Sequence, residues 1–523
     1  MNLNKELGSL GTLLAGKNSS VDNKEQLLIS KKDEVYAKIT CEKHIARELS
    51  EFFTFFVPGY TFVPAYRNKV WDGKIRLFNL QTSQLYLGLL PYLESFCQER
   101  DYEWSYEEGL GFEDEYSVYH AKKFVQSLKL ESNGNPIEIR EHQLEAYIHA
   151  MQKRRTLLLS PTASGKSLII YLLFRQLLQY QNLKGLIIVP TTSLVEQLYS
   201  DFADYSGGND FNVEENVHRI YQGKEKTTDK ALTISTWQSM YKMPKEYFDQ
   251  FDYIIGDEAH LFKAQSLTSI LTSCTNTKYR VGLTGTLDGT KTHKLVLEGL
   301  FGQVKKVITT RELIDKQQVS DFEIKCLILK YDDEICQAMK DKTYPEEIQY
   351  LIANENRNKF IKNLAVSLGT NTLVLYQMVD KHGQILYDMI KNTKNIGDRK
   401  VFFVHGGTET ADREDIRRIM EIENDAIVVA SFGTFSTGIN IRNLHNIIFA
   451  SPSKSRIRNL QSIGRGLRQS EGKEIATLYD IADDLRYKKH MNFTLKHFIE
   501  RVKLYNEEQF PFKIYKIGLK NAK

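Results

Sequence analysis

The stretch TLLLSPTASGKSLIIYLLF (156–174) combines an apolar run, a loop of small residues and a second, longer apolar run. This order predicts a buried strand, a turn and a helix. The loop ends in Gly-Lys-Ser, as phosphate-binding loops do, and starts with Ser160 where the usual pattern has glycine. Serine is small enough to replace this glycine, whose function is to let the backbone turn. Backbone N–H groups at such a helix start bind phosphate oxygens, so the stretch predicts a nucleotide site.

Further apolar runs follow the same plan, each leading into a loop and a helix. They are GLIIVP (185–190), ALTIST (231–236), YIIGDE (253–258) and YRVGLTG (279–285), then FEIKCLIL (322–329), TLVLY (372–376), KVFFVHG (400–406), AIVVAS (426–431), NIIFAS (446–451) and ATLYDIA (476–482). Continuous apolar strands alternating with helices are typical of parallel sheets covered on both faces. The two series therefore predict two α/β domains in tandem.

A different pattern precedes both series. EVYAKIT (34–40) predicts a strand and CEKHIARELSEFF (41–53) a helix. Asp72 and Gly73 stand between two strand-like runs, which is a hairpin signal, and we expect Phe62 in the core. These segments predict a small α+β domain.

The whole chain divides into five predicted segments. They are a disordered arm (1–31), a small α+β nucleic-acid-binding domain with its connector (32–125), a first α/β domain (126–315), a second α/β domain (316–490), and a C-terminal helix and tail (491–523).

Composition sets the class of protein. The chain has 523 residues, of which 41% are hydrophobic and 26% charged, which is typical of a soluble protein of several domains. A net charge of +4 permits a polyanionic partner without requiring one. The five dispersed cysteines argue against a disulfide framework or a zinc module and indicate a reducing cytosol. The sequence lacks an apolar run long enough to predict a membrane span.

Several residues near the loop have the right chemistry for ATP hydrolysis. Lys166 is expected to reach the β- and γ-phosphates, and Ser167 and Asp257 to bind Mg²⁺. Glu258, directly after the same strand, is expected to activate the attacking water. Gln143 could pair with an adenine edge. A single carboxylate at a strand end is equally well a surface acid, but the ordered pair of motifs favours the site.

The motifs together resemble those of superfamily 2 helicases and translocases. The matching segments are REHQLEA (140–146), SPTASGKS (160–167), IIVPTTSLVEQ (187–197), GDEAH (256–260, which contains a DEAH box), GLTGT (282–286) and QSIGRGLR (461–468). The segments FVPAYRNKVWDGKIRL (62–77) and ASFGTFSTGINI (430–441) more narrowly resemble the UvsW-type helicases of tailed bacteriophages. Asn440 and Gln461 stand where many superfamily members have Asp and His.

The resemblance implies two RecA-like domains with ATP and Mg²⁺ in the cleft between them. It adds Gln461, Arg465 and Arg468 to the catalytic residues, with both arginines stabilising charge on the γ-phosphoryl group. A solvated basic face is the alternative for these arginines. The resemblance implies that Thr284 and Thr286 link the nucleotide pocket to the nucleic-acid grip. The residues expected to contact the nucleotide are Arg140, Gln143, Thr162, Ala163, Ser164, Gly165, Lys166, Ser167 and Gly438.

Nucleic acid is expected on polar loops of both domains and on the N-terminal segment. Hydroxyls, amides and N–H groups suit backbone phosphates, and cations interleaved with aromatic rings grip strands or stack bases. The candidates are Pro190, Thr191, Thr236, Trp237, Gln238, Ser431, Thr434, Arg67, Lys69, Lys74 and Arg76. Each could instead be an ordinary polar residue of a loop or a solvated cation.

The resemblance implies an ATP-dependent DNA helicase that remodels forks, Holliday-type junctions and R-loops in phage recombination, repair and replication. DNA as branched duplex and single strand is the expected partner, with RNA in R-loops and a small accessory protein as further candidates. The host bacterial cytoplasm is the expected location. An RNA helicase, a duplex translocase without strand separation, and an annealing protein with an ATP switch remain as alternatives.

Overall fold

The computed structural model describes residues 26–107, 115–221, 223–394, 396–438, 441–453, 455–467, 473 and 475–519. Within these ranges the side chains of residues 180, 181, 263, 410, 436–438, 456–458, 461 and 465 are outside the description. The described residues up to 107 form one compact unit and those from 115 onward form another.

The N-terminal unit is built on a mixed sheet. Its elements are β1 (Gln26–Lys31), β2 (Tyr36–Thr40), α1 (Lys43–Phe52), β3 (Thr54–Phe56), α2 (Pro64–Arg67), β4 (Lys74–Arg76), β5 (Phe78–Asn79), β6 (Gln84–Tyr86), α3 (Leu90–Arg100) and β7 (Glu103–Tyr106). The sheet order is β5-β6-β2-β1-β7, and β3 pairs with β4 separately. Leu27 and Ile29 alternate with exposed or half-buried neighbours, so one face of β1 packs on the core.

Three expectations for this unit need correction. Residues 26–31, assigned to a disordered arm, form β1 in the sheet, whereas residues 1–25 lie outside the described residues. The segment before Asp72 does not form a hairpin strand, because residues 60–62 form a 3₁₀ turn that leads into α2. Phe62, expected in the core, is 75% exposed. A proline at the start of α2 favours a helical turn over a strand.

The first lobe of the second unit carries the quoted loop. Its elements are α4 (Val118–Ser127), β8 (Glu131–Ser132), β9 (Asn135–Pro136), α5 (Glu141–Lys153), β10 (Arg155–Leu159), α6 (Lys166–Gln181), β11 (Gly185–Val189), α7 (Thr192–Tyr205), α8 (Val213–Asn216), β12 (Val217–Ile220), β13 (Leu232–Thr236), α9 (Trp237–Met240), β14 (Tyr253–Asp257), α10 (Gln265–Ser273), β15 (Tyr279–Thr284), α11 (Lys291–Phe301), β16 (Val304–Lys306) and α12 (Thr310–Asp315). The strands pair in parallel in the order β12-β13-β11-β14-β15-β10-β16. All loops at the carboxyl ends therefore meet at the same edge of the sheet.

The second lobe repeats this parallel design. Its elements are β17 (Asp321–Lys330), α13 (Asp333–Met339), α14 (Tyr344–Ala353), α15 (Glu355–Ser367), β18 (Thr372–Tyr376), α16 (Gln384–Lys391), β19 (Val401–Val404), α17 (Thr410–Ile422), β20 (Ile427–Ser431), α18 (Phe432–Gly438), β21 (Asn446–Phe449), α19 (Arg456–Gly466), β22 (Ile475–Asp484), α20 (Phe493–Glu507) and β23 (Phe512–Gly518). The sheet order is β19-β20-β18-β21-β22-β17-β23. The expected fold class, two parallel-sheet domains after a small N-terminal domain, is confirmed.

Two predicted boundaries need correction. Helix α4 packs with the first-lobe core through Phe124 and Val125, so it belongs with that lobe rather than with the connector. The tail after α20 forms β23, which pairs in parallel with β17 at the edge of the second sheet.

None of the helices in the described part of the chain is both long and apolar enough to cross a membrane.

Candidate nucleotide site

The loop between β10 and α6 is braced by its own serines. The Ser160 N–H donates to the Thr284 carbonyl on the neighbouring strand at 2.8 Å. The Ser160 and Ser164 hydroxyls lie 2.6 Å apart, and the Ser164 hydroxyl also donates to the Pro161 carbonyl at 2.6 Å. Both serine side chains are buried. Serine in place of the usual first glycine therefore serves the loop by holding its shape.

Two residues of the loop adopt left-handed backbone conformations. Gly165 has φ +83° and Ala163 has φ +67°. A side chain at Gly165 would also collide with Gln143, because its Cβ would lie 2.1 Å from Gln143 Nε2. The left-handed backbone favours glycine at this position, and for any larger residue the end of the Gln143 side chain would have to move. The turn delivers Lys166 to the first position of α6.

The start of α5 supports the loop from behind. Gln143 Nε2 donates to the Ser164 carbonyl at 3.0 Å, and its Oε1 accepts from the Arg140 N–H at 2.9 Å. Arg140 Nη1 donates to the Ala163 carbonyl at 3.4 Å, and His142 Nε2 lies 3.0 Å from the Ser164 carbonyl. The structure thus brings the predicted Arg140, Gln143, Ala163 and Ser164 together. Sequence reasoning missed His142, and the pairing of Gln143 with adenine stays a prediction.

The two side chains at the start of α6 point to different partners. Lys166 Nζ donates to the Ser160 carbonyl at 3.3 Å. The Ser167 hydroxyl lies 2.8 Å from the Tyr205 hydroxyl at the end of α7. Burial raises the pKa of Tyr205, so this phenol is protonated at neutral pH. Sequence reasoning missed Tyr205, because its contact with Ser167 depends on how α7 packs on α6.

The acidic pair follows β14 at the same edge of the sheet. Asp257 is buried, and burial together with the charge of Glu258 raises its pKa to about 6, while Lys166 opposes that rise. The Glu258 N–H donates to Asp257 Oδ1 at 2.9 Å, and Glu258 itself has φ +50°. Two carboxylates therefore lie close to the Lys166 ammonium group, and one of them, Asp257, is withdrawn from water.

The DEAH-box histidine links the acids to the next strand. His260 Nδ1 lies 3.0 Å from the Thr284 hydroxyl and 3.4 Å from Glu258 Oε2. The Thr284 hydroxyl in turn donates to the Thr286 carbonyl at 3.0 Å. The two threonines therefore connect directly to the acid-bearing turn.

The loop also contacts the second lobe. A Cβ added at Gly464 on α19 would lie 2.6 Å from the Thr162 Cβ, and Ala163 packs against the second-lobe core cluster that contains Ile463 and Leu467. A cleft of ≈ 720 Å³ runs beside this contact, and residues of both lobes, including Pro161, line it. The loop between β10 and α6 and the helix α19 thus face each other where the two lobes meet.

The two arginines predicted to contact the γ-phosphoryl group are only partly covered by the described residues. Gln461 and Arg465 lie on α19, but their side chains are outside the described residues, and Arg468 is outside them entirely. Gly438 ends α18. The helix that carries Arg465 is therefore beside the loop, while the direction of its guanidinium stays a prediction.

The predicted nucleic-acid residues of the two lobes lie at strand ends and helix starts. Pro190 and Thr191 are half-buried, and Thr191 caps α7 by accepting from the Leu194 N–H at 3.4 Å. The Ser431 and Thr434 hydroxyls lie 2.8 Å apart at the start of α18. The other candidates follow β13: Thr236 is buried and bonds Ser239 at 3.0 Å, Trp237 is half-buried, and Gln238 is exposed. Their contacts with nucleic acid stay predictions.

In the N-terminal unit, Arg67, Lys69 and Arg76 line one surface pocket together with Tyr66 and Trp71. The remaining contacts of the predicted cations are with neighbours on this surface. Arg67 Nε donates to the Thr61 carbonyl at 3.1 Å, Arg76 forms an ion pair with Asp72, and Lys74 Nζ lies 5.0 Å from the centre of the Phe56 ring. The predicted interleaving of cations and aromatic rings is thus present on one exposed surface.

Comparison with known proteins places a family model on each part of the chain. Residues 27–107 match the N-terminal domain of the DNA helicase UvsW, residues 136–289 match the res subunit of type III restriction enzymes, and residues 355–470 match the helicase conserved C-terminal domain.

Individual relatives cover nearly the whole chain. The ATP-dependent DNA helicase uvsW of Enterobacteria phage T4 is 34% identical over 497 residues, which is 92% of this chain and 98% of the relative. The crystal structure of T4 UvsW superposes with a TM-score of 0.51, covering 95% of this chain and 100% of that one at 34% identity. The type ISP restriction-modification enzyme LlaBIII bound to DNA shares the fold, with a TM-score of 0.54, 15% identity, and coverage of 74% of this chain and 32% of that one.

Proposed function

The chain belongs to the UvsW family of ATP-dependent DNA helicases, and on that premise we propose that it remodels branched DNA in phage recombination, repair and replication. It is itself an ATP-dependent DNA helicase. Forks, Holliday-type junctions and R-loops are the proposed substrates. The observation that carries the proposal is the 34% identity to the phage T4 DNA helicase uvsW over 92% of the chain. The contact between Thr162 and Gly464 on α19 supports the ATP-driven motor that such remodelling needs.

This contact supports a nucleotide site shared by two lobes. Lys166 and the loop N–H groups hold the phosphates from the first lobe. Arg465, on the helix that touches the loop, lies on the second lobe and is proposed to stabilise charge on the γ-phosphoryl group together with Arg468. Gln461, on the same helix, is proposed to contact the bound nucleotide.

Asp257 and Glu258 are proposed to have different roles, in magnesium binding and in water activation. Asp257 and the Ser167 hydroxyl are oxygen donors of the kind that magnesium prefers, and the excess negative charge around Asp257 fits a divalent cation. Magnesium, when bound, supplies positive charge to the phosphate oxygens of ATP. Glu258 accepts a proton from the attacking water. The Tyr205 phenol is proposed to accept a hydrogen bond from the Ser167 hydroxyl, which leaves the lone pairs of that hydroxyl available.

Two lobes that share one substrate convert its hydrolysis into motion. ATP contacts both lobes when the seam is closed, so binding shifts the population toward closure, and hydrolysis releases it. A strand held by Thr191 and Thr236 on one lobe and by Ser431 and Thr434 on the other would be gripped alternately. The N-terminal cations are proposed to hold the duplex arms of the branch.

The test of the shared site is Arg465→Ala. Turnover should fall by about 10³-fold or more, as for other arginine fingers, while the affinity for ATP stays within a few-fold of wild type. Arg418→Ala is the matched control, because Arg418 is an exposed arginine of the same lobe paired with Asp415. Near-normal turnover of the Arg465 variant would contradict the shared site.

The test of the substrate is ATPase activity with different polymers. Forked DNA and junctions should stimulate turnover more than linear duplex, single strand or RNA. Stronger stimulation by RNA would favour an RNA helicase, and stimulation by duplex without unwinding would favour a translocase. Weak stimulation by every polymer would favour an annealing protein with an ATP switch.

The proposal also includes two further partners, the RNA of R-loops and a small accessory protein. The proposed location is the host bacterial cytoplasm.

A further inference from the structure

His293 is a buried histidine in the first turn of α11, outside the motifs that define the site. Its side chain is 2% exposed. Its Nε2 lies 2.9 Å from the backbone carbonyl of His260, and its Nδ1 lies 2.8 Å from Asp288 Oδ2. The ring therefore bridges an acidic residue and the turn that follows the catalytic acids.

Both ring nitrogens face acceptors. A carbonyl oxygen can only accept, so Nε2 carries a proton. Burial raises the pKa of Asp288, but hydrogen bonds from Thr290 and the pairing with His293 outweigh it and lower the pKa to about 2. The carboxylate is therefore ionised at neutral pH and lies 2.8 Å from His293 Nδ1. His293 thus contacts the His260 carbonyl through Nε2 and the Asp288 carboxylate through Nδ1, so its ring is held from two sides.

Asp288 is itself anchored. Its Oδ1 accepts from the Thr290 N–H at 2.9 Å and from the Thr290 hydroxyl at 2.8 Å. The Thr290 hydroxyl also accepts from the His293 N–H at 3.3 Å, which caps α11. The carboxylate and the ring it orients are consequently held by the same short segment.

The turn that His293 holds carries an unusual backbone. Glu258 has φ +50°, a conformation that costs a non-glycine residue free energy and persists only where neighbours enforce it. On one side the Glu258 N–H donates to Asp257 Oδ1 at 2.9 Å. On the other side His293 holds the carbonyl two residues further on, in the 3₁₀ turn of residues 259–263.

We propose that Asp288 and His293 form a positioning pair that fixes the Glu258 carboxylate for water activation by holding the His260 carbonyl. The inference rests on the proposed role of Glu258 as general base. His293 does not touch the substrate and acts through the backbone of the 258–260 turn. A misplaced carboxylate lowers the rate of the chemical step without weakening ATP binding, because the phosphate loop is untouched.

Two substitutions of His293 separate its two hydrogen bonds. In His293→Gln the amide nitrogen takes the place of Nε2 and keeps a donor for the His260 carbonyl. In His293→Asn the amide nitrogen takes the place of Nδ1 and keeps only the donor for Asp288. We expect kcat to stay within a few-fold of wild type for Gln and to fall on the order of 10- to 100-fold for Asn, with KM for ATP unchanged in both.

Melting temperature and ATP binding are measured for both variants, with His382→Gln as the control for loss of a buried imidazole. Equal losses of kcat in the Gln and Asn variants, or wild-type kcat in the Asn variant, would overturn the proposal. If His293→Asn does not fold, Asp288 provides the same test at a more exposed position. Asp288→Asn can still orient the ring and should keep kcat, whereas Asp288→Leu should lower it, and equal values would overturn the proposal.

Glu258→Gln distinguishes this failure from failure of the proposed function. If Glu258→Gln retains wild-type turnover, the general-base role fails and the positioning pair loses its purpose. If Glu258→Gln is inactive while His293→Asn turns over normally, the positioning pair alone is wrong.

Discussion

Both lobes bury carboxylates on a central strand, but the two sets have different partners. In the second lobe, Asp483 on β22 accepts from Arg357 Nε at 2.8 Å, and both side chains are fully buried. Asp480, on the same strand, accepts from Arg501 Nη2 at 2.8 Å, again with both side chains buried. In the first lobe, Asp257 on β14 lies beside a second acid, Glu258, which raises its pKa, while the charge of Lys166 lowers it.

The difference is the one expected between acids that stabilise a fold and acids that serve a ligand. A buried carboxylate with an arginine partner is neutralised within the fold, and removing it leaves an unpaired buried guanidinium. A buried carboxylate next to another acid is a cost to the fold, which a bound cation can offset. The same residue type on the same kind of strand should therefore respond oppositely to substitution in the two lobes.

The largest effect is expected at Glu258. Glu258→Gln should lower turnover by about 10²–10⁴-fold, because the amide cannot accept a proton from water. Steady-state ATPase with forked DNA measures this, and ATP affinity should be retained. Glu196→Gln, which removes a surface carboxylate paired with Arg219, is the control. A fall of less than tenfold would place the general base elsewhere.

The next largest effect concerns the second lobe. Asp483→Asn should lower the free energy of unfolding by about 3–5 kcal/mol, because it leaves Arg357 buried without its charge partner. Denaturant unfolding measures it. Asp415→Asn, at an exposed pair with Arg418, should change stability little. Similar values for the two variants would remove the contrast between buried and exposed pairs.

Substitution of Asp257 is expected to change the free energy of unfolding in the opposite direction, toward greater stability. Burial and the charge of Glu258 raise its pKa in the folded protein to about 6, above the ordinary value for an aspartate, so ionisation opposes folding. Asp257→Asn should therefore raise the free energy of unfolding at pH 7 by on the order of 1–3 kcal/mol while abolishing turnover. The gain should shrink as pH falls through 6 and vanish below about 4, where the acid is protonated in both states. A loss of stability at pH 7 would contradict the excess of negative charge.

The smallest effect is expected in the N-terminal unit, where the charges are exposed. Arg67→Gln should reduce the slope of log affinity against log salt by about 0.7–0.9, the change for one lost phosphate contact. Fluorescence anisotropy with forked DNA at several salt concentrations measures it, and the melting temperature should not change. Lys342→Gln, an exposed lysine of the second lobe paired with Glu346, is the charge-matched control. Equal slopes for both variants would exclude a specific role for Arg67.

The central strands of both lobes were predictable almost to the residue. TLVLY (372–376) coincides with β18, and GLIIVP with β11, because strands buried on both faces must be apolar throughout. The edge strands β12, β16 and β23 escaped prediction, whereas KVFFVHG predicted the edge strand β19. Strands β16 (VKK) and β23 (FKIYKIG) carry lysines that edges tolerate, so neither shows the apolar run of a central strand.

The candidate site divides in the same way. Lys166, Asp257 and Glu258 follow from local patterns, because a strand and the loop after it are adjacent in sequence. Tyr205 and His293 could not be found, since each reaches the site only through the packing of a distant helix. The turn signal at Asp72 and Gly73 predicts strands on both sides, but Pro64 starts a helix in the segment before it.

The two lobes approach each other closely at Gly464, which has no side chain. Gly464 lies in the interior of α19, where glycine weakens a helix by about 1 kcal/mol relative to alanine. Even a methyl group there would overlap Thr162. Alanine at this position is expected to hold the two lobes farther apart, and larger residues are expected to increase this separation further. A series of substitutions of increasing size at this one residue would therefore measure how much separation of the lobes the ATPase activity tolerates.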